Sequence, residues 1–353
     1  PVGLNRIIAS GISSLHSQFN SAIDTLKSNS GTYPVSNESS AQGRPETRDL
    51  VARGMHNSTA SSLCTKPGTR EIGDVEEYPI YKWVDDQGQT HYSDRRPTDS
   101  PVSRVDQVAN SQLFRFNLER RNANLPPTYE GYIKASGTKI YDFYESWLGR
   151  EALEQSQIQL LVFGQNAEFE RYRAQHAPSL KSSSGFYTHR KNLAVINHSQ
   201  SIEQTQKTSV HEIGHLITAA HLGAIPAWLT EGLSEYFEDI DPTALATPVR
   251  PAPRRKAHLR KLQAKGTLAN LDHYLSADRD QFYGQEIQQH YLAAWSLLHM
   301  MMSTDKGQKV ISSLLKEQRD NFCKPFDARA RLYSLYPGGY SGLSMDWVTW
   351  VSK

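Results

Sequence analysis

The chemistry-bearing residues of this chain concentrate in one short run, His211-Glu212-Ile213-Gly214-His215. Two histidines four apart lie one turn from each other on one helix face, so both imidazoles can reach a single ion. Neutral imidazole suits borderline-soft Zn2+, and a tetrahedral zinc with three protein ligands keeps its fourth place for water. Glu212, beside the first histidine, can approach that water as a general base. The chain holds 13 His, so a chance match to the pattern has odds on the order of a few per cent. The pattern alone does not establish a metal centre.

A third ligand stands downstream. Pro226-Ala-Trp-Leu-Thr-Glu-Gly-Leu-Ser-Glu-Tyr-Phe237 is an apolar, helix-like stretch in which Glu231 can face the first helix. Its carboxylate completes two His and one Glu, a set that leaves an open position. His221 competes for that role, because it stands where the pattern HExxHxxGxxH puts its third His. That pattern needs Gly at its eighth position to turn the chain out of the helix. Here the position is Thr218, followed by Ala219-Ala220, which favour continuing it. A continued helix carries His221 to another face, so Glu231 is the expected ligand. Glu235, one turn after Glu231, is expected to accept the second N–H of a ligating histidine, with a solvated carboxylate as the plainer alternative. Glu238 is expected to be solvated.

The elements that must position these groups follow from periodicity. A long helix over about 202–222 carries the motif. Before it, 185–189 and 192–197 read as two strands joined through Arg190-Lys191, and 158–163 as a buried strand ending at Gly164. Helical spacing marks 132–148 and 167–175, and 290–302 reads as a buried helix. Strands followed by helices indicate an α+β domain, placed over 128–353. Upstream, two aromatic, alternating runs flank Asp85-Asp86-Gln87-Gly88, the signature of a β-hairpin within a small β module at 76–105. Residues 106–127 read as a linker. Residues 1–75 read as a tether: 13 of the first 70 are Ser, too few apolar groups to build a core. A short amphipathic helix is expected there through Leu4, Ile7, Ile8, Ile12 and Leu15.

Two resemblances go further. The residues His-Glu-x-x-His followed by Trp-Leu-Thr-Glu-Gly-Leu-Ser-Glu-Tyr resemble the gluzincin metallopeptidases, and more narrowly the peptidase-MA-like branch that includes the neutral zinc aminopeptidases. The likeness spans roughly Thr128 to the C-terminus. It implies a zincin-like fold with a small mixed sheet, an active-site helix and a helical C-terminal lobe. It implies one catalytic Zn2+ on His211, His215 and Glu231, with a peptide or protein as substrate. It also implies an oxyanion-stabilising role for Tyr291, which opens its helix much as the catalytic Tyr of those aminopeptidases does, with an ordinary aromatic packed at a helix start as the plainer alternative. Zincins pair an extended substrate with a sheet edge, so Asn192, Ala194 and Ile196 become the expected substrate-binding strand. Two departures stand out. The interval from His215 to Glu231 is shorter than in the best-known members, so the connecting loop must be tight. The acidic and Gly-rich substrate anchors of the aminopeptidases are missing, so exopeptidase specificity is not supported. The Ile-Tyr-Lys-Trp, Asp-x-Gly and His-Tyr-Ser-Asp segments of 79–94 are similar to a small domain of unknown function common in secreted and periplasmic bacterial proteins, which implies an envelope location.

Composition narrows the remaining classes. A net charge of +2 sets up no field for nucleic acid or an anionic membrane, and the basic run 254–265 reads as a solvated helix face. The sequence opens at Pro1 without an initiator Met, so a signal peptide or anchor is expected to precede it, with an envelope or membrane tether. Cys64 and Cys323 fit either one disulfide or two thiols. Against the enzymatic reading stand a zincin scaffold kept only for binding, without turnover, and an envelope adaptor with a chance motif.

Overall fold

A computed structural model describes residues 113–353 apart from 179, 181–183, 199–200 and 243–248, together with the backbone of three upstream strands. All of these lie in one compact unit, residues 45–353. The expected tether and N-terminal helix fall outside the described residues. The upstream strands are β1 (Ile80–Val84), β2 (Thr90–Ser93) and β3 (Ser103–Val105). The expected hairpin is β1 against β2, and β3 adds antiparallel on the other side of β1.

The principal sheet has four strands: β4 (Phe114–Arg121), β5 (Ser156–Phe163), β6 (Gly185–Thr188) and β7 (Leu193–Asn197). Their order is β4-β5-β7-β6, with β4, β5 and β7 parallel and β6 antiparallel to β7. It is the small mixed sheet of an α+β fold. One boundary moves: β4 lies in the segment expected to be linker. Its apolar residues sit at alternate positions (Phe114, Phe116, Leu118), but only Phe114 is fully buried. A strand so polar on its second face looks like a connector.

Helices α1 (Thr128–Leu148) and α2 (Asn166–His176) flank the sheet strands in sequence. The motif helix α3 (Ile202–Leu222) has the ends expected of it. Ser201 caps it by accepting from Gln204 N–H at 3.2 Å, and Gly223 ends it at φ +68, a left-handed conformation that L side chains rarely adopt. After a connection of only residues 223–226, α4 (Ala227–Phe237) packs back on α3. The shortened interval is met by this tight turn. The C-terminal lobe follows: α5 (Pro253–Ala264), α6 (Leu271–Ser276), α7 (Arg279–Phe282), α8 (Ile287–Met302), α9 (Asp305–Asp320), α10 (Ala328–Leu335) and α11 (Gly339–Ser352).

One core joins sheet and lobe through Tyr129, Tyr144, Ile213, Leu233, Trp228 and Trp295. Two glycines let α3 and α8 approach α4 closely. A Cβ on Gly214 would lie 3.0 Å from the Phe237 ring, and one on Gly232 would lie 2.7 Å from Leu298 of α8. Cys323 is disulfide-bonded, and the sequence holds one other cysteine, Cys64. The Cys323 sulfur packs directly behind Gly223. Among the described residues, no helix is long and apolar enough to cross a membrane.

Candidate metal centre

The helical spacing of the motif brings His211 and His215 to one face of α3, their rings 4.6 Å apart. The short turn then swings α4 across that face and delivers Glu231. Its Oε2 lies 3.3 Å from His211 Nε2 and 3.5 Å from His215 Nε2. One donor atom from each of the three residues falls within 4.8 Å of the others, and all three side chains are buried. Zinc bonds of about 2.0–2.2 Å in tetrahedral array need donors roughly 3.4 Å apart, so these residues fit a small divalent cation. His211 Nε2, buried and without a hydrogen bond, is the donor such an ion would use. Buried carboxylates and imidazoles converging without such an ion are costly, which is the usual physical reason for a cation there.

The outer nitrogens are also held. His211 Nδ1 meets Glu238 Oε1 at 2.7 Å, the length of a charge-assisted bond. Glu235 Oε1 is 3.8 Å away. The orienting carboxylate is therefore Glu238, expected to be solvated, and not Glu235. The reason lies on another helix: Arg255 of α5 forms an ion pair with Glu235, its guanidinium 5.0 Å over the Trp295 ring. Arg255 is thus the inward member of a basic run expected to be wholly solvated. His211, Glu235 and Glu238 form a second group that could hold an ion. The 2.7 Å contact is already a full hydrogen bond, which makes this face an orienting shell. At the second motif histidine, Ser234 Oγ lies 2.9 Å from His215 Nδ1. Burial alone would push the His211 pKa down, yet Glu231 and Glu238 outweigh it and raise the pKa to about 9. An ion entering this site therefore displaces a proton.

Three tyrosines complete the surroundings. Tyr187 of β6 stacks on the His215 ring at 4.9 Å. Tyr291 of α8 lies parallel to the His211 ring at 6.4 Å, and Tyr283 O–H donates to Glu231 Oε1 at 2.6 Å. Burial first, and then the Glu231 charge, pushes all three phenols well above their ordinary pKa. They stay protonated and can donate. His221 takes no part. It packs against Tyr144 at 4.8 Å, its Nδ1 bonds Ile217 O at 2.8 Å, and Glu154 N–H donates to its Nε2 at 3.1 Å. The continued helix has turned it away.

The expected substrate strand is corrected. β7 is interior, paired on both sides, so Ala194 and Ile196 are buried with no free edge. Asn192 sits just before the strand in a left-handed conformation (φ +49), its Nδ2 donating to Gln157 O at 2.6 Å. The edge strand is β6, and it borders the site: a Cβ on Gly185 would lie 3.2 Å from Glu212 Oε1. Asn197 N–H bonds Ser184 O at 2.9 Å. With the pairing Gly185↔Ile196 and Tyr187↔Ala194, alternation turns the backbone groups of Gly185 and Tyr187 outward. Sequence reasoning missed Ser234, Glu238, Tyr187 and Tyr283. The first two carried a signal, since Ser234 and Glu238 follow Glu231 by three and seven residues along one face of α4 and its C-cap.

Two family models match the chain. One, described as a domain of unknown function (DUF4124), matches residues 79–112, the three-stranded module. The other, described as a protein of unknown function (DUF1570), matches residues 202–327. The second stretch takes in His211, Glu212, His215, Glu231, Tyr283 and Tyr291. No curated protein and no solved structure matches.

Proposed function

We propose that the chain is a zinc-dependent hydrolase of the gluzincin type, acting on peptide bonds outside the cytoplasm. The observation that carries this reading is Glu231 Oε2 standing 3.3 and 3.5 Å from the two motif Nε2 atoms. Donors of this kind at this spacing suit zinc and leave a place for water. Bound there, zinc would supply Lewis acidity and bring the pKa of a water toward about 7. Glu212 then takes the proton of the attacking water and returns it to the leaving amine. Tyr291 donates a hydrogen bond to the oxyanion that develops on the carbonyl. Glu238 and Ser234 hold the two imidazoles by their outer nitrogens, so that each presents Nε2. An extended peptide would pair with the outward backbone groups of Gly185 and Tyr187 on β6. The match at 79–112 to a domain type met in the bacterial periplasm and the disulfide at Cys323 support an extracytoplasmic, oxidising location.

The test is Glu212→Gln. It is expected to keep one zinc per chain by metal analysis while peptide hydrolysis falls about 10²–10⁴-fold. Full activity of this variant on the same substrate defeats the mechanism. A zinc content near zero in the unaltered chain defeats the metal centre itself.

A further inference from the structure

Resting on that metal-centre reading, we propose that Tyr283 is a positioning residue that restricts Glu231 to ligation through one oxygen and so keeps a coordination place open. A carboxylate can bind a cation through one oxygen or two, and a second bound oxygen raises the coordination number above four and crowds the place that water and substrate need. Here the two oxygens of Glu231 have separate tasks. Oε2 faces both motif Nε2 atoms at 3.3 and 3.5 Å. Oε1 accepts from Tyr283 O–H at 2.6 Å, within the short range of O–H···O⁻ bonds. Two-oxygen ligation would turn Oε1 toward the ion and away from the position in which it accepts that bond.

The phenol is placed to hold on. Tyr283 directly follows α7, whose start is fixed by a reciprocal cap: Asp278 Oδ1 accepts from Gln281 N–H at 2.8 Å, and Gln281 Oε1 accepts from Asp278 N–H at 2.9 Å. Its ring packs edge-on to Phe282 at 5.2 Å and Tyr291 at 6.3 Å, with the Arg279 guanidinium 5.1 Å over its face. The hydroxyl thus comes from a rigid segment 52 residues away from the ligand it holds.

The experiment is cobalt substitution of the full chain, followed by visible absorption, in the unaltered protein, Tyr283→Phe and Tyr291→Phe. One Co2+ per chain with the intense bands of a four-coordinate ion is expected for the unaltered protein. Tyr283→Phe is expected to keep one Co2+ and the same thermal midpoint, but to lose band intensity several-fold as Glu231 moves to two-oxygen ligation. A Tyr283→Phe spectrum identical to the unaltered one overturns the proposal, and so does a loss seen only in Tyr291→Phe. If Tyr283→Phe binds no cobalt and unfolds earlier, the residue is structural and the proposal fails. No cobalt in the unaltered chain removes the metal-centre reading and this inference with it.

Discussion

The middle of α3 and its last turn carry the same chemical group in equal burial, yet put it to opposite uses. His211 and His221 are both shut away from solvent. Around His211 stand Glu231 and Glu238, and its pKa rises to about 9. Around His221 stand Tyr141, Tyr144, a backbone carbonyl and a backbone N–H, and burial lowers its pKa to about 4. Burial is common to both, so it identifies neither. The difference lies in what meets Nε2: a backbone donor consumes the lone pair of His221, whereas no hydrogen bond closes off Nε2 of His211, whose proton an ion can displace.

The sharpest test of this contrast removes one histidine from each part of α3. His215→Ala is expected to take zinc from about one per chain to near zero, while His221→Gln should keep it. Zinc loss in both would mean that general damage to α3, not ligation, empties the site. The next effect is on stability. Because the folded pKa of His221 lies below the ordinary 6.5, its contribution is complete above that pH. It is lost as the pH falls from about 6.5 toward 4, at a cost of roughly 3 kcal/mol. Urea unfolding of the metal-free protein across that range should show this loss, and His221→Gln should flatten it. An equally steep acid limb in the variant assigns the loss to other groups. Smaller again is the orienting shell. Glu238→Ala is expected to weaken zinc binding about 10–100-fold in competition with a chelator, and Glu235→Gln less. A reversed order would return the orienting role to Glu235. At the chemical step, Tyr291→Phe should slow turnover by up to about 10²-fold with zinc content unchanged. Unaltered kinetics would remove its oxyanion role.

What the sequence made legible follows from how local each feature is. The motif helix, its ends and the convergence of His211, His215 and Glu231 depend on helical spacing and one short turn, and both can be read along the chain. The choice between Glu235 and Glu238 cannot. Both share the face of Glu231, and the deciding partner, Arg255, comes from a helix beyond them. The sheet edge failed for a similar reason. Residues 185–188 and 193–197 are equally good strands, but a parallel crossover seats β7 beside β5 and leaves β6 outside. Strand order is a property of the whole topology. β4 was missed because its alternation buries one end only.

The turn at residues 223–226 has a consequence for how the protein is made. Every proposed ligand and both groups that would orient them fall within 211–238, so very little chain must be closed to bring them together. Contacts this near in sequence form early. The α3–α4 hairpin is therefore expected to gain protection before the distant lobe in pulse-labelled hydrogen exchange, with metal capture as an early event of biogenesis.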